Sequence, residues 1–169
     1  MAGRSEINNY LTENNLLYKF QSGFRGSYST DTCLIYLQDY IRDQIGEGKY
    51  TGMVLLDIQK AFDSVNHEIL CKKLKALGVK STMWFESYLT QRFQVVNVNG
   101  TNSSPRKLTC GVPQGSILGP LLFLCYVNDM PMSVDCIMLQ YADDSALMVS
   151  DTCPDKIGKL LSKNMEQCN

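Results

Sequence analysis

Leu139-Gln140-Tyr141-Ala142-Asp143-Asp144-Ser145-Ala146-Leu147-Met148 sets two adjacent carboxylates between two short apolar runs. Ile137 to Tyr141 and Ala146 to Val149 have the β-branched and aromatic content of strands, and the residues between them are small or polar. This pattern predicts a tight β-hairpin with the acids at its tip. Neighbouring carboxylates on a stiff two-stranded base repel one another unless a cation lies between them. Hard oxygen donors of this kind suit magnesium. The plain alternative is a polar turn, because aspartate is common in turns for its own hydrogen-bonding reasons.

Working outward, the next informative segment is Met53-Val54-Leu55-Leu56, which runs directly into Asp57. A continuous apolar run predicts a central strand covered on both faces. A carboxylate at its end would stand at the edge of the sheet, where a ligand can reach it. Asp57 and Asp143 are distant in sequence, so only the fold can unite them. If strand and hairpin lie side by side in an antiparallel sheet, Asp57, Asp143 and Asp144 meet at one end. Two divalent ions about 3.5–4 Å apart could then be shared among them. That is the requirement of phosphoryl and nucleotidyl transfer, in which positioning and charge neutralisation provide most of the catalysis.

The 169 residues, 44% hydrophobic, suffice for one domain with a real core. The net charge of −1 gives no bulk support for nucleic-acid binding, so any such contact needs a local cationic groove. The seven cysteines are scattered and never spaced as C-x-x-C. That argues against a disulfide framework or a zinc site and fits a reducing, intracellular setting. His67 is the only histidine, leaving little material for imidazole chemistry. The first ten residues are polar, unlike a signal peptide. The apolar stretch from Ile117 to Val127 falls short of a membrane span, so no membrane partner is expected.

Other elements follow from periodicity. A helix is predicted from Ser5 to Leu17, then a Gly/Ser-rich loop from Gln21 to Thr30 whose amides could approach a phosphate. Thr30 or Asp31 could cap a helix whose Leu34, Leu37, Ile41 and Ile45 form an apolar stripe, read as core. Asn66 could cap a helix ending at Gly78. In it, Lys72, Lys73 and Lys75 read as a solvated face before a nucleic-acid contact. Ser81 would open a helix with Trp84, Phe85, Tyr88 and Leu89, read as packing. Asn99-Gly100 marks a hairpin. Ile117 to Asn128 predicts an apolar helix with Pro120 in its first turn, and Pro154 a last helix.

Three segments carry a resemblance. Leu56-Asp57-Ile58-Gln59-Lys60-Ala61-Phe62-Asp63 resembles the first palm motif of reverse transcriptases. Cys110-Gly111-Val112-Pro113-Gln114-Gly115-Ser116-Ile117-Leu118-Gly119-Pro120 resembles the second, and Tyr141-Ala142-Asp143-Asp144 the third. Together with Gln21 to Thr30 and Trp84 to Arg92, they are similar to the LINE-type, non-LTR retrotransposon group over roughly residues 10 to 150.

The resemblance implies an α+β fold: a polymerase palm with a ferredoxin-like, RRM-like antiparallel sheet and helices on one face. Residues 1–49 would be partial fingers and 50–169 an incomplete palm. It implies RNA-directed DNA polymerase activity with an RNA template, a DNA primer, deoxynucleoside triphosphates and two Mg2+ ions. Asp57, Asp143 and Asp144 would be catalytic and, with the Ile58 carbonyl, would hold the metals. Ile58, Ala61, Phe62, Gln114 and Gly115 would line the nucleotide site, with Phe62 as the steric gate against a 2′-hydroxyl. Arg25 would contact template phosphate. The family's upstream fingers motif and downstream primer grip and thumb have no counterpart here. That leaves a second reading, a truncated and non-catalytic remnant that at most binds nucleic acid or a partner.

Overall fold

The computed structural model describes residues 2–80 and 82–168. The chain divides into two units, each built from two pieces of sequence. Residues 17–59 and 127–169 form a sheet unit; residues 1–16 and 60–126 form a helical unit. This differs from the division expected at residue 50. The helix before that point packs on strands of the sheet, so it groups with them.

The sheet unit holds β1 (Tyr50–Leu56), β6 (Ile137–Tyr141) and β7 (Asp144–Asp151) in the order β1-β7-β6, antiparallel throughout. The α+β class and the hairpin are as expected. The central strand, however, is β7, whose Leu147, Met148 and Val149 are buried in succession. Each such apolar side chain contributes about 1.5–3 kcal/mol on burial. β1 is an edge strand with Met53 and Leu55 exposed, which corrects its reading as a doubly covered strand. A continuous apolar run does not distinguish a buried strand from an edge strand that leaves apolar side chains uncovered.

Strand alternation places Gly52, Leu56, Met138 and Leu147 on one face, and Thr51, Met148 and Ser150 on the other. Helix α6 (Pro154–Gln167) covers the first face. Its Leu161 packs on the Val134–Met138–Leu147 cluster. A Cβ on Gly52 would come within 2.2 Å of the Ile157 side chain, so glycine lets α6 approach. Helix α2 (Thr30–Gly46) reaches the opposite face, where the Tyr40 and Ser150 hydroxyls are 3.0 Å apart. Helices therefore lie against both faces, not one. Ser29, not Thr30 or Asp31, caps α2, in a reciprocal capping box with Thr32. The α2 stripe is not core: no residue of this helix is buried, and Leu34 and Ile45 are 59% and 64% exposed.

The helical unit contains α1 (Ala2–Glu13), α3 (His67–Ala76), α4 (Thr82–Leu89) and most of α5 (Gly119–Val127). Asn66 caps α3 by accepting from the Ile69 amide at 3.1 Å. The expected opening of α4 at Ser81 lies outside the described residues. Two short ribbons project from the unit, β2 (Phe93–Gln94) with β5 (Arg106–Lys107), and β3 (Asn97–Val98) with β4 (Thr101–Asn102). Asn99 and Gly100 turn the second ribbon with φ of 49° and 82°, the geometry such hairpin turns require. Among the described residues no helix is long and apolar enough to cross a membrane.

All seven cysteines are free. Cys125 lies among Leu121, Leu122, Phe123 and Leu124 in the apolar interior of α5. Desolvation there pushes its thiol up to about 12. At pH 8 only about one molecule in ten thousand would carry that thiolate, the reactive form. With Ellman's reagent the exposed Cys110 should therefore react in the native chain, and Cys125 only after denaturant is added. Mass spectrometry of the labelled peptides checks this.

Candidate active site

The register of the sheet assembles the acids. Tyr141 pairs with Asp144, so the hairpin turn is the dipeptide Ala142-Asp143. Leu56 pairs with Ser145, the last pair of that register, and Asp57 is the next residue of the chain, at the hairpin end of the sheet. All three carboxylates thus stand at one end of the three-stranded sheet. Asp57 and Asp144 are exposed and Asp143 is half-buried. Among the described residues no three metal-binding side chains are gathered closely enough to cage an ion unaided. The side-chain donors at this sheet end are nonetheless all carboxylate oxygens, a hard donor type that suits Mg2+.

The turn that carries Asp143 is held under strain. Ala142 has φ of 58°, a left-handed conformation that costs a residue bearing a Cβ about 1–2 kcal/mol. The side chain of Gln21, 3% exposed, offsets this cost. The Ala142 amide donates to Gln21 Oε1 at 3.0 Å, and Gln21 Nε2 donates to the Ala142 carbonyl at 3.2 Å. The Gly23 amide also donates to Gln21 Oε1, at 2.7 Å. Backbone bonds extend the contact along β6: Gln140 N–H donates to Phe20 O at 3.0 Å and Ser22 N–H to Gln140 O at 2.9 Å. Gly23 lies so close that a Cβ there would be 2.1 Å from the Ala142 nitrogen. Gln21 and Gly23 together clamp the tip.

Sequence reasoning missed this clamp, because Gln21 to Thr30 read as a loop for phosphate. Arg25, expected on template phosphate, donates from Nη1 to the carbonyls of Tyr18 and Gln21, both at 3.1 Å. Its guanidinium also lies over the Tyr28 ring. Arg25 therefore braces the segment that carries the clamp.

The helical unit gathers the remaining expected residues. Phe62 O accepts from Val112 N–H and Val65 O from Gly111 N–H, each at 2.8 Å. His67 Nε2 lies 2.7 Å from Gly111 O, a further tie that sequence reasoning passed over. The Phe62 ring stacks on Phe123, centroids 4.8 Å apart. Gln114 Nε2 donates to Asp63 Oδ1 at 3.0 Å, and Gly115 beside it has φ of 78°. Ala61 is buried, its carbonyl accepting from the Ser64 hydroxyl at 3.0 Å. The first and second sequence motifs are thus joined by main-chain bonds that fix Phe62 relative to Gln114.

Comparison with known proteins settles the family. Residues 5–169 match the family described as reverse transcriptase (RNA-dependent DNA polymerase). The chain belongs to the reverse transcriptase family. It is 34% identical over 173 residues to the probable RNA-directed DNA polymerase from transposon BS of Drosophila melanogaster, covering 94% of this chain and 18% of the relative. It is 33% identical over 165 residues to the RNA-directed DNA polymerase from mobile element jockey of Drosophila funebris, covering 90% of this chain and 18% of the relative. The chain therefore spans about a fifth of the length of these relatives. Among solved structures it resembles apo telomerase from Candida tropicalis truncated from its C-terminal domain. The TM-score is 0.64 at 13% identity, over 94% of this chain and 34% of the other. That likeness bears on the fold, a palm-containing polymerase architecture without a closed barrel.

Proposed function

We propose that this reverse transcriptase chain carries the nucleotidyl-transfer centre of an RNA-directed DNA polymerase. It would add deoxynucleotides to a DNA primer on an RNA template. The observation that supports this reading most is the sheet register, which ends β1 at Leu56 opposite Ser145, with Asp57 next in the chain and the hairpin acids at the same end of the sheet. Asp57, Asp143, Asp144 and the Ile58 carbonyl would hold two Mg2+ ions, which when bound supply charge neutralisation and an activated hydroxyl.

The chain's own residues supply position and selection. The hairpin holds Asp143 and Asp144 on a stiff base, and β1 delivers Asp57. Phe62 would lie under the sugar of the incoming nucleotide. Its main chain is tied to Val112 and its ring backed by Phe123, so it cannot yield to a 2′-hydroxyl. Ala61, buried and next to it in the chain, would complete this wall of the nucleotide site. Gln114 and Gly115 would meet the nucleotide, with glycine permitting close backbone approach. Arg25 would reach template phosphate with the donors its own loop leaves unused.

The direct test is primer extension on an RNA template with magnesium, using the chain as expressed. Template-directed incorporation is expected. Its absence from protein that circular dichroism finds folded would overturn the reading and favour a chain that binds without turnover. Phe62→Val should then move the preference for deoxy- over ribonucleotides by roughly two orders of magnitude, about 3 kcal/mol in relative barrier. An unchanged ratio in single-nucleotide incorporation would dismiss the gate.

A further inference from the structure

The two edges of the three-stranded sheet are unequal. The β6 edge is closed by the chain's own backbone: Gln140 N–H donates to Phe20 O at 3.0 Å, and Ser22 N–H donates to Gln140 O at 2.9 Å. The Tyr18 hydroxyl adds a bond to Met138 O at 2.9 Å. The β1 edge is bare. Among the described residues no strand or loop hydrogen-bonds to its outer side. A row of unpaired N–H and C=O groups is a template for another strand, and proteins usually guard it with a charge, a proline or a bulge. Tyr50-Thr51-Gly52-Met53-Val54-Leu55-Leu56 has neither charge nor proline, and its pairing with β7 runs without a bulge over all seven residues.

The side chains along this edge need cover as much as the backbone does. Thr51, Met53 and Leu55 project from one sheet face, where Leu55 is 73% exposed and Met53 43%. Helix α2 meets that face at Ser150, beside Thr51, and leaves Leu55 uncovered. Which edges are free dictates what fits. A second copy has its β6 edge closed too, so β1 can meet only β1. Identical strands that join edge to edge about a two-fold axis run antiparallel and close into a dimer, with no edge left for a third copy. Centred on Met53, such a pairing sets Met53 opposite Met53, Thr51 opposite Leu55, Gly52 opposite Val54 and Tyr50 opposite Leu56. Just beyond the strand ends, Lys49 falls opposite Asp57 of the second copy, once on each side of the axis. Lys49 already pairs with Glu47 of its own chain, and its ammonium has further donors to share. Sliding one copy by two residues would set Asp57 opposite Glu47 or Thr51 instead, and both ion pairs would be lost. Opposite charges across neighbouring strands attract and like charges repel, so one register is favoured.

We propose that β1 is an association edge, and that two copies of this chain join through it into one six-stranded antiparallel sheet. Backbone bonds between the two β1 strands supply the attraction. Met53 and Leu55 of both copies then adjoin across the axis as one apolar strip, and the two Lys49–Asp57 pairs fix the register. The contact is small, so the dimer is weak and reversible, with a dissociation constant on the order of micromolar or above. The inference rests on the backbone and charge of β1 and stands whether or not the chain adds nucleotides.

Sedimentation velocity of the full chain over a concentration series tests this. A monomer–dimer equilibrium with no larger species is expected. Met53→Lys sets two ammonium groups face to face at the axis and should weaken the dimer roughly tenfold. Lys49→Asp turns both flanking attractions into repulsions and should weaken it severalfold. Combining Lys49→Asp with Asp57→Lys recreates both pairs in reverse and should restore the dimer. Leu34→Lys, on exposed α2, should dimerise as the parent does. The changed residues are exposed or half-exposed, and circular dichroism confirms that each variant is folded. Should Met53→Lys fail to fold, the charge exchange alone decides. Hydrogen exchange gives a second reading: amides of Tyr50–Leu56 should gain protection as concentration rises. The proposal is overturned by a chain that stays monomeric up to about 1 mM, or by open-ended assemblies in place of a dimer. It is equally overturned by a dimer that Lys49→Asp leaves unchanged, or that the charge exchange does not restore.

Discussion

Asp143→Asn should abolish nucleotide addition while leaving the chain as stable as before or slightly more so. The two effects have opposite signs for one physical reason. Asp57, Asp143 and Asp144 are three carboxylates at one sheet end, and no cation among the described residues makes a salt bridge to any of them. Their repulsion is a small cost to folding, a few tenths of a kcal/mol for partly exposed, screened charges. Asparagine keeps the shape and removes one charge, so that cost falls. The same charge is what a divalent ion needs. Losing it should reduce extension by about three orders of magnitude or more, roughly 4 kcal/mol of barrier. Primer extension and thermal melting, run on both proteins, read the two effects separately. A third reading links them. Magnesium at ten times its dissociation constant should stabilise the parent by about 1.4 kcal/mol, and Asp143→Asn much less. Equal melting shifts in both proteins, or extension at the parent's rate by the variant, would remove Asp143 from the metal site.

Strong local signals were legible in the sequence wherever chemistry leaves the backbone few options. The Asn66 cap, the Asn99-Gly100 turn, Pro120 at the head of α5 and the hairpin around Asp143 all follow from side-chain bonds or dihedral limits within a few residues. What failed depended on who the neighbours are. Met53 to Leu56 and the α2 stripe have the apolar composition of buried elements. Composition records what a face could bury and not what covers it, and Met53, Leu55, Leu34 and Ile45 remain exposed. The candidate site divides the same way. Asp57, Asp143 and Asp144 announced themselves because an acid at the end of an apolar strand is costly without a use. Gln21 did not, because an amide surrounded by glycine and serine reads as loop until its partner across the fold is known.

The clamp at Gln21 and Gly23 yields the second large prediction. Gln21→Ala removes three hydrogen bonds at once and leaves the Ala142 amide buried without its acceptor. An unmet buried donor costs about 1–3 kcal/mol, so a loss of roughly 2–4 kcal/mol in stability is expected. Released from the clamp, Ala142 no longer has a compensating partner for its left-handed backbone, and the tip relaxes. Displacement of a reacting group by about 1 Å is enough to cost roughly a hundredfold in rate. Gln21→Glu keeps the acceptor for both amides but loses the donor to the Ala142 carbonyl and buries a charge, so it should not rescue. Gly23→Ala reaches the same end by steric force, since its methyl would overlap the Ala142 backbone. The discriminating measurement is made well below each variant's melting point, where every protein is folded. There the lost rate should sit in kcat and in magnesium affinity, with KM for the primer nearly unchanged. If the folded variants extend primers at the parent's rate, Gln21 serves stability alone, and the strain at Ala142 has no part in holding Asp143.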